Sequence, residues 1–205
     1  MKSVCELGEI LLVSLHEAPF YPAWNTWWRA IRLLSKTPVR IVIFGHPRRR
    51  EVPSSKNIVG PEDVNGGSAN RCDAKTIVIY RKEEATRVLI HELLHGSCSD
   101  PYYKTTPHIE ADTEAWAEMI LCGMTAKGQT SPWIRFMKEQ ISWTMRQTNV
   151  LRRQYNVHGP GDYAWRYITG KLEVWERLGI KIPWNYQSNA LIPSLRFTIC
   201  EPKNI

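Results

Sequence analysis

The chain has 205 residues, 43% of them hydrophobic, and carries 27 Lys and Arg against 20 Asp and Glu, a net charge of +7. This composition excludes an intrinsically disordered chain, and the length predicts a single domain over residues 1–205. No stretch is long and apolar enough to span a membrane, and no secretory signal is recognisable, so we expect an intracellular, cytoplasmic protein.

The N-terminal half is predicted to form a small twisted sheet. Residues 11–15, 39–44 and 76–80 are short apolar runs typical of buried strands. Residues 22–35 have apolar positions at helical spacing after a proline, which predicts a helix. Residues 47–74 are rich in turn-forming residues and read as a long connection.

Beyond residue 81 the pattern is helical. The segments 109–123, 132–155 and 162–178 have helical periodicity, whereas the proline-containing tail 182–205 is expected to be irregular. We therefore predict an α+β fold with a sheet-containing half (1–80), a helical half (81–181) and an irregular tail.

The sequence His91-Glu92-Leu93-Leu94-His95 lies within a predicted helix. Residues four apart share a helix face, so both imidazoles can reach one ion, and Glu92 lies next to them. Two histidine ligands and a carboxylate that accepts a proton from metal-bound water are the components of zinc-dependent hydrolysis. The motif thus predicts Zn²⁺ as cofactor.

Three carboxylates could supply the third ligand. Glu110, Glu114 and Glu118 recur at intervals of four on the next predicted helix, so they lie on one face. The negative charges of these carboxylates repel one another unless a cation or other partners neutralise them. A solvated acidic face of a helix has the same pattern.

The spacing resembles that of the gluzincins, the metallopeptidase group of thermolysin and the zinc aminopeptidases. Residues 96–113, eighteen in number, separate His95 from Glu114, and Thr113-Glu114-Ala115 looks like the segment that carries their ligand glutamate. The resemblance implies a zincin-like fold, zinc on His91, His95 and Glu114, and Glu92 as general base. It also implies that Glu118 orients the first histidine, a role that strengthens a ligand. The aminopeptidase segment that binds a substrate N-terminus is absent.

A weaker resemblance lies downstream. Asn156-Val157-His158-Gly159 is similar to a Val-His of thermolysin-like enzymes whose imidazole stabilises the oxyanion, which would assign that role to His158. Tyr163 and Tyr155 are the alternatives, and His158 can equally be an ordinary loop histidine.

His108 is the other candidate for the third ligand. It lies 13 residues after His95, and a three-histidine site would resemble the SprT-type proteases that act on proteins crosslinked to DNA. Cys98 would also suit zinc chemically, but a buried or loop cysteine explains it equally well. The five cysteines, at 5, 72, 98, 122 and 200, have no paired spacing, which predicts reduced thiols.

These observations predict a zinc metallopeptidase acting on a peptide or protein, with the peptide lying along strand 76–80 if that is the edge strand. One alternative is an inactive zinc-stabilised structural protein of a larger assembly, such as a viral particle. Another is a SprT-like protease, because the net charge and the run Arg48-Arg49-Arg50 suit a nucleic-acid or acidic partner as well as a solvated loop.

Overall fold

The computed structural model describes residues 1–14, 20–53, 58–100, 104–184 and 194–199, and these form two compact units. The sheet unit comprises the described part of 1–49 and 66–100, and the helical unit that of 50–65 and 101–200. In chain order the elements are β1 (Lys2–Cys5), β2 (Gly8–Val13), α1 (Trp24–Leu34), β3 (Val39–His46), α2 (Pro61–Val64), β4 (Gly67–Asn70), β5 (Asp73–Arg81), α3 (Ala85–Gly96), α4 (Thr106–Thr125), α5 (Thr130–Tyr155), a π-helix (Trp165–Thr169) and α6 (Gly170–Arg177).

The sheet unit is built on a mixed five-stranded sheet in the order β1-β2-β3-β5-β4. β2, β3 and β5 run parallel, whereas β1 and β4 pair antiparallel at the two ends. Ile41 and Ile43 of β3 and Ile77 and Ile79 of β5 are fully buried, which is why these apolar runs form the central strands. The α+β class is confirmed.

The hypothesis that strand 76–80 lies at the edge of the sheet is wrong. β5 pairs with β3 on one side and with β4 on the other, so β4 is the terminal strand. β4 lies inside the segment 47–74 that we expected to be a connection, and its sequence Gly-Ser-Ala-Asn has no β-branched or aromatic residue. This segment therefore forms a strand because it pairs with β5, and its local strand propensity is too low to predict one.

The other predicted elements are found with shifted limits. The predicted strand 11–15 corresponds to β2, with residue 15 outside the described ranges, and β1 and the short α2 are additional. The predicted helix 162–178 is divided into the π-helix and α6. The described parts of the tail, 182–184 and 194–199, contain only an isolated bridge between Ser194 and Glu51.

Helix α3 carries the motif and is buried along its entire length. Within the sheet unit it packs against β4, β5 and α1. Trp27 of α1 is buried and donates a hydrogen bond from its indole to the Thr86 hydroxyl, 2.9 Å away. The helix is thus held rigidly, as a site that positions reacting groups requires.

In the helical unit, α4 packs against the π-helix and α6. Gly170 permits this contact, because a Cβ there would lie 2.9 Å from the Ala111 side chain. Trp175 is fully buried and donates to the backbone carbonyl of Ala115. Gln140 of α5 donates to the Phe197 carbonyl and so fixes the segment 194–199. None of the helices within the described residues could cross a membrane.

Replacing Ile79 with alanine should lower the free energy of unfolding by about 2–5 kcal/mol, because the side chain is fully buried in a central strand and its removal leaves a cavity. Val13→Ala in β2 is the control, since Val13 is 45% exposed and its change should stay within about 0.5 kcal/mol. Urea unfolding measures both, and equal small effects would contradict the assigned burial of β5.

Candidate metal centre

The two motif histidines face each other on α3. His91 Nε2 and His95 Nε2 lie 3.0 Å apart, and the rings are nearly perpendicular, at 82°. Both residues are buried. Helical spacing of four brings the side chains together, as the sequence predicts. Two ring nitrogens directed at one point can share a proton or bind one cation.

Asp100 contacts the second histidine, a feature that the sequence analysis missed. Its Oδ2 lies 2.6 Å from His95 Nδ1, and its side chain is only 2% exposed. A carboxylate on Nδ1 favours the tautomer that carries the proton there, so Nε2 presents its lone pair towards His91. The five-residue separation crosses the end of α3, which helical periodicity alone does not predict.

Glu92 is buried beside β4. A Cβ at Gly67 would lie 3.0 Å from Glu92 Oε1, so the carboxylate lies against the strand at the position where no side chain intervenes. Gly67 is also close to Val88 and to the Val78 carbonyl, which leaves little room for a larger residue. The glycine thereby places the edge of the sheet next to the predicted general base.

The third ligand stays a prediction. Glu110, Glu114 and Glu118 belong to the helical unit, whereas His91 and His95 belong to the sheet unit. Successive members of a stripe at intervals of four are about 6 Å apart along a helix, so only one can be level with a given point.

Two of the stripe carboxylates, Glu114 and Glu118, are buried in the helical unit. Glu114 and Glu118 are 1% and 0% exposed, and Glu118 accepts a hydrogen bond of 2.6 Å from the Thr198 hydroxyl. The stripe is thus no solvated acidic face. The predicted role of Glu118 in orienting His91 stays a prediction.

Tyr167 of the π-helix is a further residue that the sequence analysis did not select. Burial raises the pKa of its phenol, and the negative charges of Glu110 and Glu114 raise that pKa further. The hydroxyl therefore stays protonated near neutral pH and can act as a hydrogen-bond donor. A π-helix within a helical segment frequently marks a functional site, and periodicity does not reveal it.

The predicted oxyanion residues are spread over the helical unit. His158 is exposed, and its ring is hydrogen-bonded to Asn156. Tyr163 donates to Asn65 Oδ1 at 2.6 Å, and its ring contacts that of Tyr167 in a tilted arrangement, with the centroids 5.2 Å apart. The Tyr155 hydroxyl is bonded to the Pro53 carbonyl. The role of these residues at an oxyanion stays a prediction.

His108 belongs to the helical unit. It is exposed in the first turn of α4, where its Nδ1 lies 2.8 Å from the Thr105 hydroxyl and its ring contacts Trp165 edge-on at 5.6 Å. These contacts are those of a residue at the start of a helix, and the role of His108 as a third ligand stays a prediction.

The prediction of reduced thiols is wrong for two cysteines. Cys72, in the turn between β4 and β5, forms a disulfide with Cys98, just beyond α3, while Cys5 and Cys122 are not disulfide-bonded. The partners are separated by 26 residues in sequence, and only the packing of α3 against the β4–β5 hairpin brings them together. Cys200 lies outside the described residues.

Replacing both Cys72 and Cys98 with serine should lower the free energy of unfolding by about 2–4 kcal/mol, because the closed loop restricts the unfolded chain. The exposed free thiol of Cys5 supplies the control, and Cys5→Ser should unfold like the wild type. Denaturant unfolding under non-reducing conditions measures the difference. Thiol titration of the unfolded wild type that finds Cys72 and Cys98 reactive would refute the pairing.

The basic run is only partly a surface feature. Arg50 is fully buried, donates from Nε to the Val64 carbonyl and lies 4.4 Å from the centre of the Phe197 ring. Arg48 and Arg49 are exposed. The run therefore offers two exposed cations, a smaller patch than the sequence suggests.

Comparison with models of protein families, with curated proteins and with solved structures finds no match for this chain.

Proposed function

We propose that this protein is a zinc-dependent peptidase with a zincin-like fold, in which His91, His95 and Glu114 hold the metal and Glu92 is the general base. The observation that carries the proposal is the pair of motif imidazoles, whose Nε2 atoms lie 3.0 Å apart, with Asp100 on Nδ1 of the second. Glu114 is the third ligand implied by the gluzincin spacing, and two histidines and a glutamate, with a fourth position left for water, are a common ligand set of catalytic zinc.

The donor geometry suits zinc. At a zinc–nitrogen distance of about 2.0–2.1 Å, two nitrogens of a tetrahedral site lie about 3.3 Å apart. The two Nε2 atoms are 3.0 Å apart, close to that value. Asp100 on His95 Nδ1 supplies the outer hydrogen bond that metal-ligating histidines usually make.

The chemistry follows from the chain's own groups. Such a metal would supply a water whose pKa is lowered to about 7. Glu92, one residue after the first ligand, would take the proton from that water and give it to the leaving amine. Its burial beside Gly67 keeps the carboxylate in one position and excludes bulk water from it.

The oxyanion donor that we favour is a tyrosine of the helical unit. Tyr167 approaches Glu110, and its raised pKa keeps the phenol protonated through the neutral range. Tyr163 contacts it, with their hydroxyl oxygens 3.4 Å apart. A neutral O–H directed at developing negative charge stabilises the tetrahedral state.

The substrate peptide would pair with β4, which stands last in the strand order and lies beside Glu92 at Gly67. Added strands bind mainly through backbone hydrogen bonds, so the interaction places weak demands on the peptide's sequence. Proteins with extended segments are therefore the substrate class that we propose.

The test combines metal content with cleavage of a complex peptide mixture analysed by mass spectrometry. We expect one zinc per chain, new peptide termini, and loss of cleavage after chelation with recovery on adding zinc. A protein that binds zinc but cleaves no peptide would instead support a structural role for the metal. A protein that binds no zinc when the metal is supplied would overturn the proposal.

The competing function is a zinc-stabilised structural protein. It is favoured by the burial of every residue of α3, including the two histidines and Glu92. A structural site is closed by four protein ligands, whereas a catalytic one keeps an open position. Cobalt-substituted protein distinguishes them, because added hydroxamate should change the visible spectrum only when a position is open.

A further inference from the structure

The chain beyond α3 turns back onto the metal-facing histidine. The backbone N–H of Cys98 donates to the His95 carbonyl, and that of Ser99 donates to the Leu94 carbonyl. Cys98 has a positive φ of 60°, which reverses the chain direction. Asp100 is thereby brought to the imidazole of His95, at 2.6 Å.

The β4–β5 turn holds this segment from the other side. Arg71 donates to the Asp100 carbonyl at 3.4 Å, and its Nε lies 3.6 Å from Asp100 Oδ2. The next residue, Cys72, forms the disulfide with Cys98, and its backbone N–H donates to the His95 carbonyl at 2.9 Å. Asp100 is thus held by an ion pair and a backbone contact from Arg71, and the segment that carries it is cross-linked at Cys98.

We propose that Asp100 is a positioning residue for the metal centre, and that Arg71 and the Cys72–Cys98 disulfide hold it in place. The inference rests on the proposed zinc site. Asp100 keeps the proton of His95 on Nδ1 and fixes the ring, so that Nε2 is directed at the ion. The arrangement differs from the orienting role of Glu118 implied by the gluzincin resemblance, because it serves the second histidine from the loop after the motif helix.

The carboxylate's burial supports this role. Its side chain is 2% exposed, and a buried carboxylate is costly unless charged or hydrogen-bonded groups compensate it. His95 and Arg71 supply such groups on one oxygen, Oδ2. Arg71 itself is substantially exposed, so it can be changed without opening the core.

The experiment is a zinc titration against a chromophoric chelator, with protein carrying Asp100→Asn, Asp100→Ala or Arg71→Gln. Loss of an outer-shell partner typically weakens metal binding about 10- to 100-fold. We expect Asp100→Ala to lower the zinc affinity by a factor near the upper limit of this range. Asp100→Asn should lower it by a factor near the lower limit, because the amide oxygen still accepts a hydrogen bond from Nδ1. Arg71→Gln should have a smaller effect than either. Asp73→Asn in the same hairpin is the control and should bind like the wild type.

Two further readouts separate positioning from a structural role. Far-UV circular dichroism and urea unfolding of the metal-free Asp100→Asn protein should match the metal-free wild type, and its cobalt derivative should have an altered visible spectrum. Wild-type affinity in Asp100→Ala, or an affinity loss fully explained by unfolding, overturns the inference and leaves the zinc site intact. A wild type that binds no zinc overturns both the inference and the proposed function.

Discussion

Replacing Glu92 with glutamine is expected to lower peptide hydrolysis at least about 100-fold while leaving one zinc per chain, because general-base catalysis contributes about 10²–10⁴ in rate. Glutamine has nearly the same size as glutamate but cannot accept the proton of the attacking water. Since Glu92 is not among the three ligands, the metal should remain. The loss should appear in kcat, because the proton transfer occurs in the transition state.

Glu139→Gln is the matched control for that variant, because Glu139 is an exposed residue of α5 and its change removes the same charge. Zinc content, urea unfolding and cleavage of the peptide mixture are compared for both proteins. Full activity of the Glu92→Gln protein would refute the mechanism. Loss of zinc together with activity would instead make Glu92 part of the metal site.

The second large effect concerns the third ligand. Glu114→Gln is expected to weaken zinc binding more than about 100-fold, beyond the range of outer-shell changes, because it removes the charged ligand that the gluzincin spacing implies. Glu110→Gln, one turn earlier on α4, removes the same charge and should keep the metal. Zinc is measured per folded protein, because Glu114 is buried and its replacement can also lower stability.

The pair of variants distinguishes two spacings of one motif. Retention of zinc in Glu114→Gln together with its loss in Glu110→Gln would replace the 18-residue gap of the gluzincins with a gap of 14 and contradict the proposed ligand set. His91→Ala serves as the positive control for metal loss, and His46→Ala, at an exposed histidine of β3, as the negative one. If His91→Ala kept zinc, the metal would be bound elsewhere.

Local patterns predicted the main elements well. β3, β5, α1, α4 and α5 follow apolar periodicity that their buried residues then satisfy. β4 was not predicted because its four residues have little strand propensity. It forms a strand because it pairs with β5. The π-helix was not predicted because a one-residue change of hydrogen-bond register leaves the apolar periodicity of the sequence almost unaltered.

The sequence by itself determined the pairing of His91 and His95 and the position of Glu92, because both follow from the geometry of one helical turn. Only the tertiary structure linked Cys72 to Cys98 and brought Asp100 to His95. These depend on how a helix, a hairpin turn and a loop pack together, and residue spacing contains no information on the relative height and rotation of separate elements.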